Sequence, residues 1–399
     1  MFTSKQLQRY ADVLWWGITT ARTSPFKRND IVVIRYNKPA VELAEILYAG
    51  LLARGIHPIQ RMNPTPAMER SFYSISSGKQ LVFLPPGEKE LMSRLNGSIF
   101  IYAPESITHL SDIDSKKIGK TAVAQKTLRD IGNQREARGA FSWTLCVFPT
   151  AELAEHADLS LDEYTRQIVR SCFLNKTDPV SHWQNIYKKA QSIKKWLNSM
   201  DVDYFHVESD NMDLEIAPGE KRQWIGISGR NIPSFEIFVS PDWRTVRGEY
   251  YADQPSYRSG NRVEGVRLVF EKGRAIKVSA DAGENFARNQ LAIDTGADKL
   301  GEFSLTDKRF SKINCFMANT LYDENYGGRF GNCHIALGAS YANTFAGDGK
   351  RLTPTRKRQL GFNESALHWD LVNTEKKRVT AHLKTGKTLV IYENGRFKY

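Results

Sequence analysis

The chain has 399 residues, with 56 Lys+Arg against 44 Asp+Glu, a formal charge of +12 and a pI near 9.4. At about 100–200 residues per domain, this length predicts two or three domains with ample chain to bury a core. Apolar residues at 41% and charged residues at 25% exclude a disordered, collagenous or disulfide-stapled chain.

No stretch approaches the roughly 18–20 apolar residues of a membrane-spanning helix. The start, MFTSKQLQRYADVLWWGITTARTS, carries Arg9, Asp12 and Arg22 among its apolar residues and lacks the core of a secretory signal. A cytoplasmic protein is expected. Cys146, Cys172, Cys315 and Cys333 show no CxxC spacing, so buried free thiols are expected rather than disulfides or a Cys-based zinc site. The basic residues are dispersed, and the tightest clusters, Lys376-Lys377-Arg378, Lys350-Arg351 and Arg356-Lys357-Arg358, read as solvated faces. No RNP, zinc-finger or KH pattern points to nucleic acid.

In chain order, the first half alternates strands with helices. Asp30–Tyr36 is a β-rich run, and Ala40–Arg54 follows with helical periodicity up to Gly55, a cap residue. Gln80–Leu84 and Ser98–Ala103 read as further strands, and Leu161–Leu174 and Pro179–Met200 as helices. This order predicts a doubly wound, Rossmann-like α/β domain over residues 1–200, a scaffold or dimerisation domain. No GxGxxG or GxxxxGK[ST] follows any of its strands.

Beyond Met200 the character changes. Tyr204–Val207, Met212–Ile216, Glu236–Val239, Val266–Glu271, Arg274–Ser279 and Thr388–Tyr392 read as short strands, with hairpin turns at Lys272-Gly273 and Glu393-Asn394-Gly395. Residues 201–399 are therefore expected to form an α+β catalytic domain with a largely antiparallel sheet.

Metal-capable side chains punctuate this half at Glu236, Glu302, Glu324, His334, His368 and Asp370. Taken singly, Glu236 reads as an edge-strand carboxylate, Glu302 as a loop or helix N-terminal acid, and His334 as a core histidine. His368 and Asp370 are the best local pair, because i, i+2 spacing puts both on one face of a strand, an imidazole beside a carboxylate as borderline divalent ions prefer. Two divalent cations (+4) would balance Glu236, Glu302 and Asp370 (−3) plus a hydroxide, avoiding a buried net charge. HExxH and GxSxG are absent, which argues against thermolysin-type and serine-hydrolase sites.

The segments RNIPSFEIFVSPDWRTVRG (230–248), LGEFSL (300–305), NTLYDEN (319–325), CHIALGASY (333–341) and GFNESALHWD (361–370) occur in this order. With them the chain resembles the thermophilic-type metalloaminopeptidases, the aminopeptidase T and aminopeptidase S family. REARGAFSWTLCVFPT (135–150) and DPVSHW (178–183) extend the likeness.

The resemblance implies a two-metal aminopeptidase that hydrolyses the N-terminal residue from short peptides through a metal-bridging hydroxide, with Zn²⁺, Co²⁺ or Mg²⁺ as candidate ions. It implies metal-site roles for Glu236, Glu302, His334, His368 and Asp370, an active-site role for Tyr341, and a homodimer enclosing its active site. Glu302 is the expected bridging ligand, Glu302 or Glu324 the proton carrier, and Tyr341 the oxyanion donor. One departure is the insertion NYGGRFGN between Glu324 and Cys333-His334, whose three glycines predict a mobile loop and set Glu324 apart from the other ligands. Competing readings are a polyanion-binding protein using the +12 charge and a catalytically silent scaffold.

Overall fold

The computed structural model describes the backbone of residues 1–399 and every side chain except those of Ser115 and Lys350. The chain divides into two compact units, Met1–Trp183 with Ser228–Pro233, and Gln184–Ile227 with Ser234–Tyr399. The sequence reading draws one line near residue 200; the observed division falls at Trp183/Gln184 and returns Ser228–Pro233 to the first unit.

The first unit holds a five-stranded parallel sheet in the order His57–Met62, Ile31–Tyr36, Gly97–Tyr102, Ser142–Val147 and Asn231–Ile232. Apolar runs such as IVVIRY are buried on both faces, as central parallel strands require. Val33 packs with Leu95 and Phe141 against Leu91 and Met92 of the Glu88–Arg94 helix. The helices Ser4–Thr20 and Val41–Ala53 also lie on the sheet, and the second buries Leu43, Ala44, Leu47 and Leu51. It ends where Gly55 takes φ +72° and donates to the Leu52 carbonyl, the left-handed termination that glycine permits.

One expected strand is absent. Gln80–Leu84 lies across a helical turn, Gly78–Leu81, closed by a capping box in which Ser77 and Gln80 each bond the other's backbone N–H. That local bonding outweighs the β-preference of Val82 and Phe83, which stay exposed.

Besides the two-stranded pair Ser256–Arg258 and Asn261–Val263, the second unit contains two larger antiparallel sheets that share a core. The larger, of eight strands, includes Val202–Ser209, Met212–Ile216, Arg247–Ala252, Val266–Glu271, Arg274–Ser279, Arg378–Leu383 and Thr388–Glu393. The smaller runs His368–Asn373, Asn332–Gly338, Leu300–Thr306, Glu236–Val239 and Ile225–Gly226. Alternation sends Phe303, Leu305, Ile335, Leu337, Ile237 and Val239 to one face, all buried. There Phe303 meets Phe205 and Trp224, with ring centroids 6.0 and 5.8 Å apart, and the buried Tyr250 hydroxyl donates to the Leu371 carbonyl at 2.7 Å. The opposite face of this sheet carries the polar residues.

Two expectations about charge and thiols are corrected. Lys377 belongs to a cluster read as solvated, yet it is only 2% exposed, its ammonium donating to the Glu375 carbonyl; burial lowers its pKa to about 8. Lys350, in another of these clusters, lies outside the described side chains. Cys146, Cys172 and Cys333 are buried, but Cys315 is half-buried; none of the four forms a disulfide. Among the described residues no helix is long and apolar enough to cross a membrane.

In the first unit, Gly229 has φ +82° and a Cβ there would lie 2.4 Å from the Gly17 carbonyl oxygen. Neither backbone can yield without moving the Ser4–Thr20 helix. Gly229→Ala is therefore expected to cost about 2–3 kcal/mol in denaturant unfolding; a loss under about 0.5 kcal/mol would contradict this close approach.

Candidate metal centre

The polar face of the five-stranded sheet assembles the site. In the Leu300–Thr306 strand, alternation points Glu302, Ser304 and Thr306 to one side. Across the ladder, Thr306 pairs with Glu236, Ser304 with His334, Glu302 with Ala336, and Ala336 in turn with Asp370. Glu236, Glu302, His334, Asp370 and, one step along the edge strand, His368 thus share a face. Ala336, with only a methyl group, stands between Glu302 and Asp370 and keeps the space between them open. Glu302 is a strand residue, not a loop acid; Gly301 beside it makes a bulge, pressed so close to the 338–339 backbone that a Cβ would lie 2.4 Å from the Ala339 carbonyl.

Glu302 stands at the middle. His334 Nε2 lies 3.4 Å from Glu302 Oε1 and 3.3 Å from Glu236 Oε2, while His368 Nε2 lies 3.6 Å from Glu302 Oε2 and 3.4 Å from Asp370 Oδ1. Each oxygen of one carboxylate faces a different imidazole. Three groups have ligand atoms within 4.8 Å of one another: Glu236–Glu302–His334, Glu302–His368–Asp370 and Glu324–His334–Asp370. Glu324 enters from outside the sheet, just after the short Thr320–Asp323 helix. Tyr341 lies at the rim, its ring 4.8 Å edge-on from His368 and 5.6 Å from Phe238, with 41% of the residue exposed.

The histidines are held differently. His368 Nδ1 is 3.0 Å from the Ala339 carbonyl, which can only accept, so Nδ1 carries the proton and Nε2 turns to the carboxylates. His334 is fully buried, and its Nδ1 has no hydrogen-bond partner among the described residues.

Burial and mutual repulsion dominate the titration. Burial, then the charge of Glu302, pushes Glu236 up to about 8. Burial, then the charge of Glu236, holds Glu324 well above the ordinary range. For the histidines burial works the other way, but the carboxylates around them prevail and raise both to about 9. Burial opposes ionisation of Asp370 too, yet His368 brings it down to about 2.

The sequence reading passed over four supporting residues. Asp323, buried, accepts the backbone N–H groups of Met317 and Asn319, both at 2.8 Å. Asn325, fully buried, reaches both Glu324 and the backbone just before Glu236. The hydroxyl of Ser304 donates to Glu236 at 3.4 Å. Arg258 donates to the His368 carbonyl at 2.8 Å and adds positive charge near Asp370. The three consecutive polar residues DEN at a helix end were the signal available for the first two.

The glycine-rich insertion is pinned, against the expectation of mobility. Gly327 and Gly328 both donate to the Ile313 carbonyl, and Gly331 donates back to Gly327. Asn332 Nδ2 donates to the carbonyls of Glu324 and Tyr326, both at 2.9 Å.

The profile of the family described as thermophilic metalloprotease (M29) matches residues 3–397. Aminopeptidase PepS of Streptococcus thermophilus is 28% identical over 63% of this chain and 62% of its own length. The chain thus spans less than two thirds of that relative. AmpS of Bacillus subtilis (strain 168) is 28% identical over 78% of this chain and 79% of its own. Aminopeptidase T of Thermus aquaticus is 28% identical over 64% and 62%. The structure of wild-type AmpT from Thermus thermophilus superposes with a TM-score of 0.81 over 100% of both chains at 21% identity, so the fold is shared.

The raised groups set the pH response of ion-free protein. A raised folded pKa gives stability that is complete below the unfolded value and lost as pH climbs through the folded one. For His334 and His368 that window runs from 6.5 to about 9, and for Glu236 from 4.5 to about 8. Chelator-treated protein should therefore melt progressively lower between pH 6.5 and 9, and a divalent ion should abolish the trend. Melting temperatures that stay flat or rise over that range without ions would refute this electrostatic account.

Proposed function

Because the chain belongs to the thermophilic metalloprotease (M29) family, we propose that it is a metallo-aminopeptidase, removing the N-terminal residue of short peptides at a centre of two divalent cations. The observation that carries the reading is Glu302, whose two oxygens face two different histidine-containing ligand groups. The relatives PepS, AmpS and aminopeptidase T, each an aminopeptidase by name, support it.

The donor set fits two such ions. Nitrogen–oxygen separations of 3.3–3.6 Å exceed good hydrogen bonds. They suit a tetrahedral ion, whose bonds of about 2.0 Å separate its ligands by about 3.3 Å. Glu236, Glu302, Glu324 and Asp370 bring −4 when ionised, which two divalent cations cancel. Glu236, Glu302 and His334 would hold one ion, and Glu302, His368 and Asp370 the other, with Glu324 reaching in between His334 and Asp370. Mixed imidazole and carboxylate donors favour Zn²⁺ or Co²⁺ over Mg²⁺.

Bound there, the cations supply positive charge that lowers the pKa of a water towards ~7 and polarises the scissile carbonyl. With both Glu302 oxygens committed to ligation, Glu324 is the proton carrier. Ionised beside the cations, it would accept a proton from water; burial and the neighbouring Glu236 raise its affinity for that proton, so that it holds the proton until it passes to the leaving amine. Tyr341 stays protonated: although part of the residue is exposed at the rim, burial around its hydroxyl and then the charges of Glu302 and Asp370 hold its phenol well above the usual range. Its hydroxyl therefore donates to the developing oxyanion.

Glu302→Gln should abolish release of N-terminal residues from leucyl and aromatic amides while circular dichroism shows an unchanged fold. Wild-type turnover by this variant, or by protein stripped of divalent ions, would end the reading. Tyr341→Phe should lower kcat by about 10²–10³ with little change in KM; an unaltered kcat would remove the tyrosine from oxyanion stabilisation.

A further inference from the structure

Glu236 and Glu324 belong to different ligand groups and come from different parts of the chain, an inner strand of the sheet, not the edge its sequence suggested, and the end of a short helix. A single buried amide touches the support of both. Asn325 Oδ1 accepts the N–H of Phe235, the residue before Glu236, at 2.5 Å. Its Nδ2 donates to the Leu321 carbonyl at 2.9 Å and to Glu324 Oε1 at 3.4 Å. The Asn325 carbonyl, in turn, accepts the Ser311 hydroxyl at 2.6 Å. Asn325 is 0% exposed, so no water can stand in for any of these bonds.

We propose that Asn325 is a positioning residue that ties two arms of the site together, fixing Glu324, which reaches in between the ions, through its side-chain N–H and Glu236 through the Phe235 amide. The inference rests on the two-ion reading above. Three chemical features make asparagine suited to the place. It offers an acceptor on one side and two donors on the other, and the Phe235 N–H needs an acceptor in the interior. Glutamine would carry the same groups one methylene too far. Aspartate keeps the acceptor for Phe235 but loses both donors and sets a second negative charge against Glu324. Leucine fills the volume and satisfies neither side. The two substitutions therefore separate the two arms. Asn325→Asp releases the Glu324 side, whereas Asn325→Leu releases both. Removing such an outer partner of a ligand weakens ion binding by about 10–100-fold.

The experiment is calorimetric titration of chelator-treated full-length protein with Co²⁺, followed in parallel by the visible absorption of the bound ion. Wild type is expected to take up two ions. N325D, which loosens Glu324 alone, should bind Co²⁺ at least tenfold more weakly and alter the absorption envelope. N325L, which loosens Glu236 as well, should weaken binding further. Should N325L fail to fold, the nearly isosteric N325D decides alone, its fold checked by circular dichroism. Wild-type affinities and spectra for both ions in folded N325D would overturn the positioning role and leave the two-ion reading standing. A wild-type protein that binds no Co²⁺ would instead overturn the two-ion reading and this inference with it.

Discussion

Four carboxylates share one buried neighbourhood, and the second unit is organised around that fact. At an effective dielectric constant near 20, two like charges about 4 Å apart repel by about 4 kcal/mol. Glu236, Glu302, Glu324 and Asp370 cannot all be ionised there with only protein groups for company. The positive groups at hand are His334, His368 and, beside Asp370, Arg258. Without ions the molecule answers by keeping protons, which is why Glu236 and both imidazoles titrate high. A bound pair of divalent cations would replace those protons, so that occupancy, stability and pH belong to one equilibrium.

A sheet is a suitable frame for such a cluster. Side chains on one face recur at fixed spacing, and their backbones are locked by ladder hydrogen bonds before any ligand arrives. The rear face is packed by Phe303, Leu305, Ile335 and Leu337, which fixes the register. A slip of one residue would turn Glu302 and His334 into the apolar core and Phe303 towards the ligands. The apolar side thus specifies where the polar side must lie. Glycine and alanine supply the remaining geometry, Gly301 by allowing the bulge and Ala336 by leaving the centre of the face unfilled.

Legibility in the sequence followed the same physics. Strands with one wet and one dry face announce themselves, and the hairpin of Val266–Glu271 with Arg274–Ser279 was read residue for residue, including its turn at Lys272-Gly273. Leu300–Thr306 was not read as a strand, although Glu302–Thr306 alternates polar with apolar residues. Alternation marks a strand but not that its polar face is buried as deeply as its apolar one, and that burial falls where the chemistry concentrates. The pairing of His368 with Asp370 was visible from spacing within one strand. No spacing rule gathers Glu236, Glu302, Glu324 and His334 from four separate elements; family resemblance suggested them as a set. The supporting contacts of Asp323 and Asn325 are tertiary, and a tripeptide of polar residues gives no hint of which backbone each will meet.

The segment after Glu324 is fixed at both ends without loosening the acid that precedes it. Its exit is clamped where Gly331, at φ +62°, passes so close to Tyr392 that a Cβ would lie 2.1 Å from the phenol oxygen. That same hydroxyl donates to the Thr306 carbonyl at 2.7 Å, on the strand that carries Glu302. Its entry is held by Asn332 and by the Thr306 hydroxyl, which both donate to the Glu324 carbonyl, at 2.9 and 3.3 Å. The residues between those two fixed ends stay packed, and the glycines serve tight passage rather than mobility. Glu324 is held through its own backbone by the strands bearing Glu302 and His334, so a change in the length of this loop need not alter where its carboxylate stands.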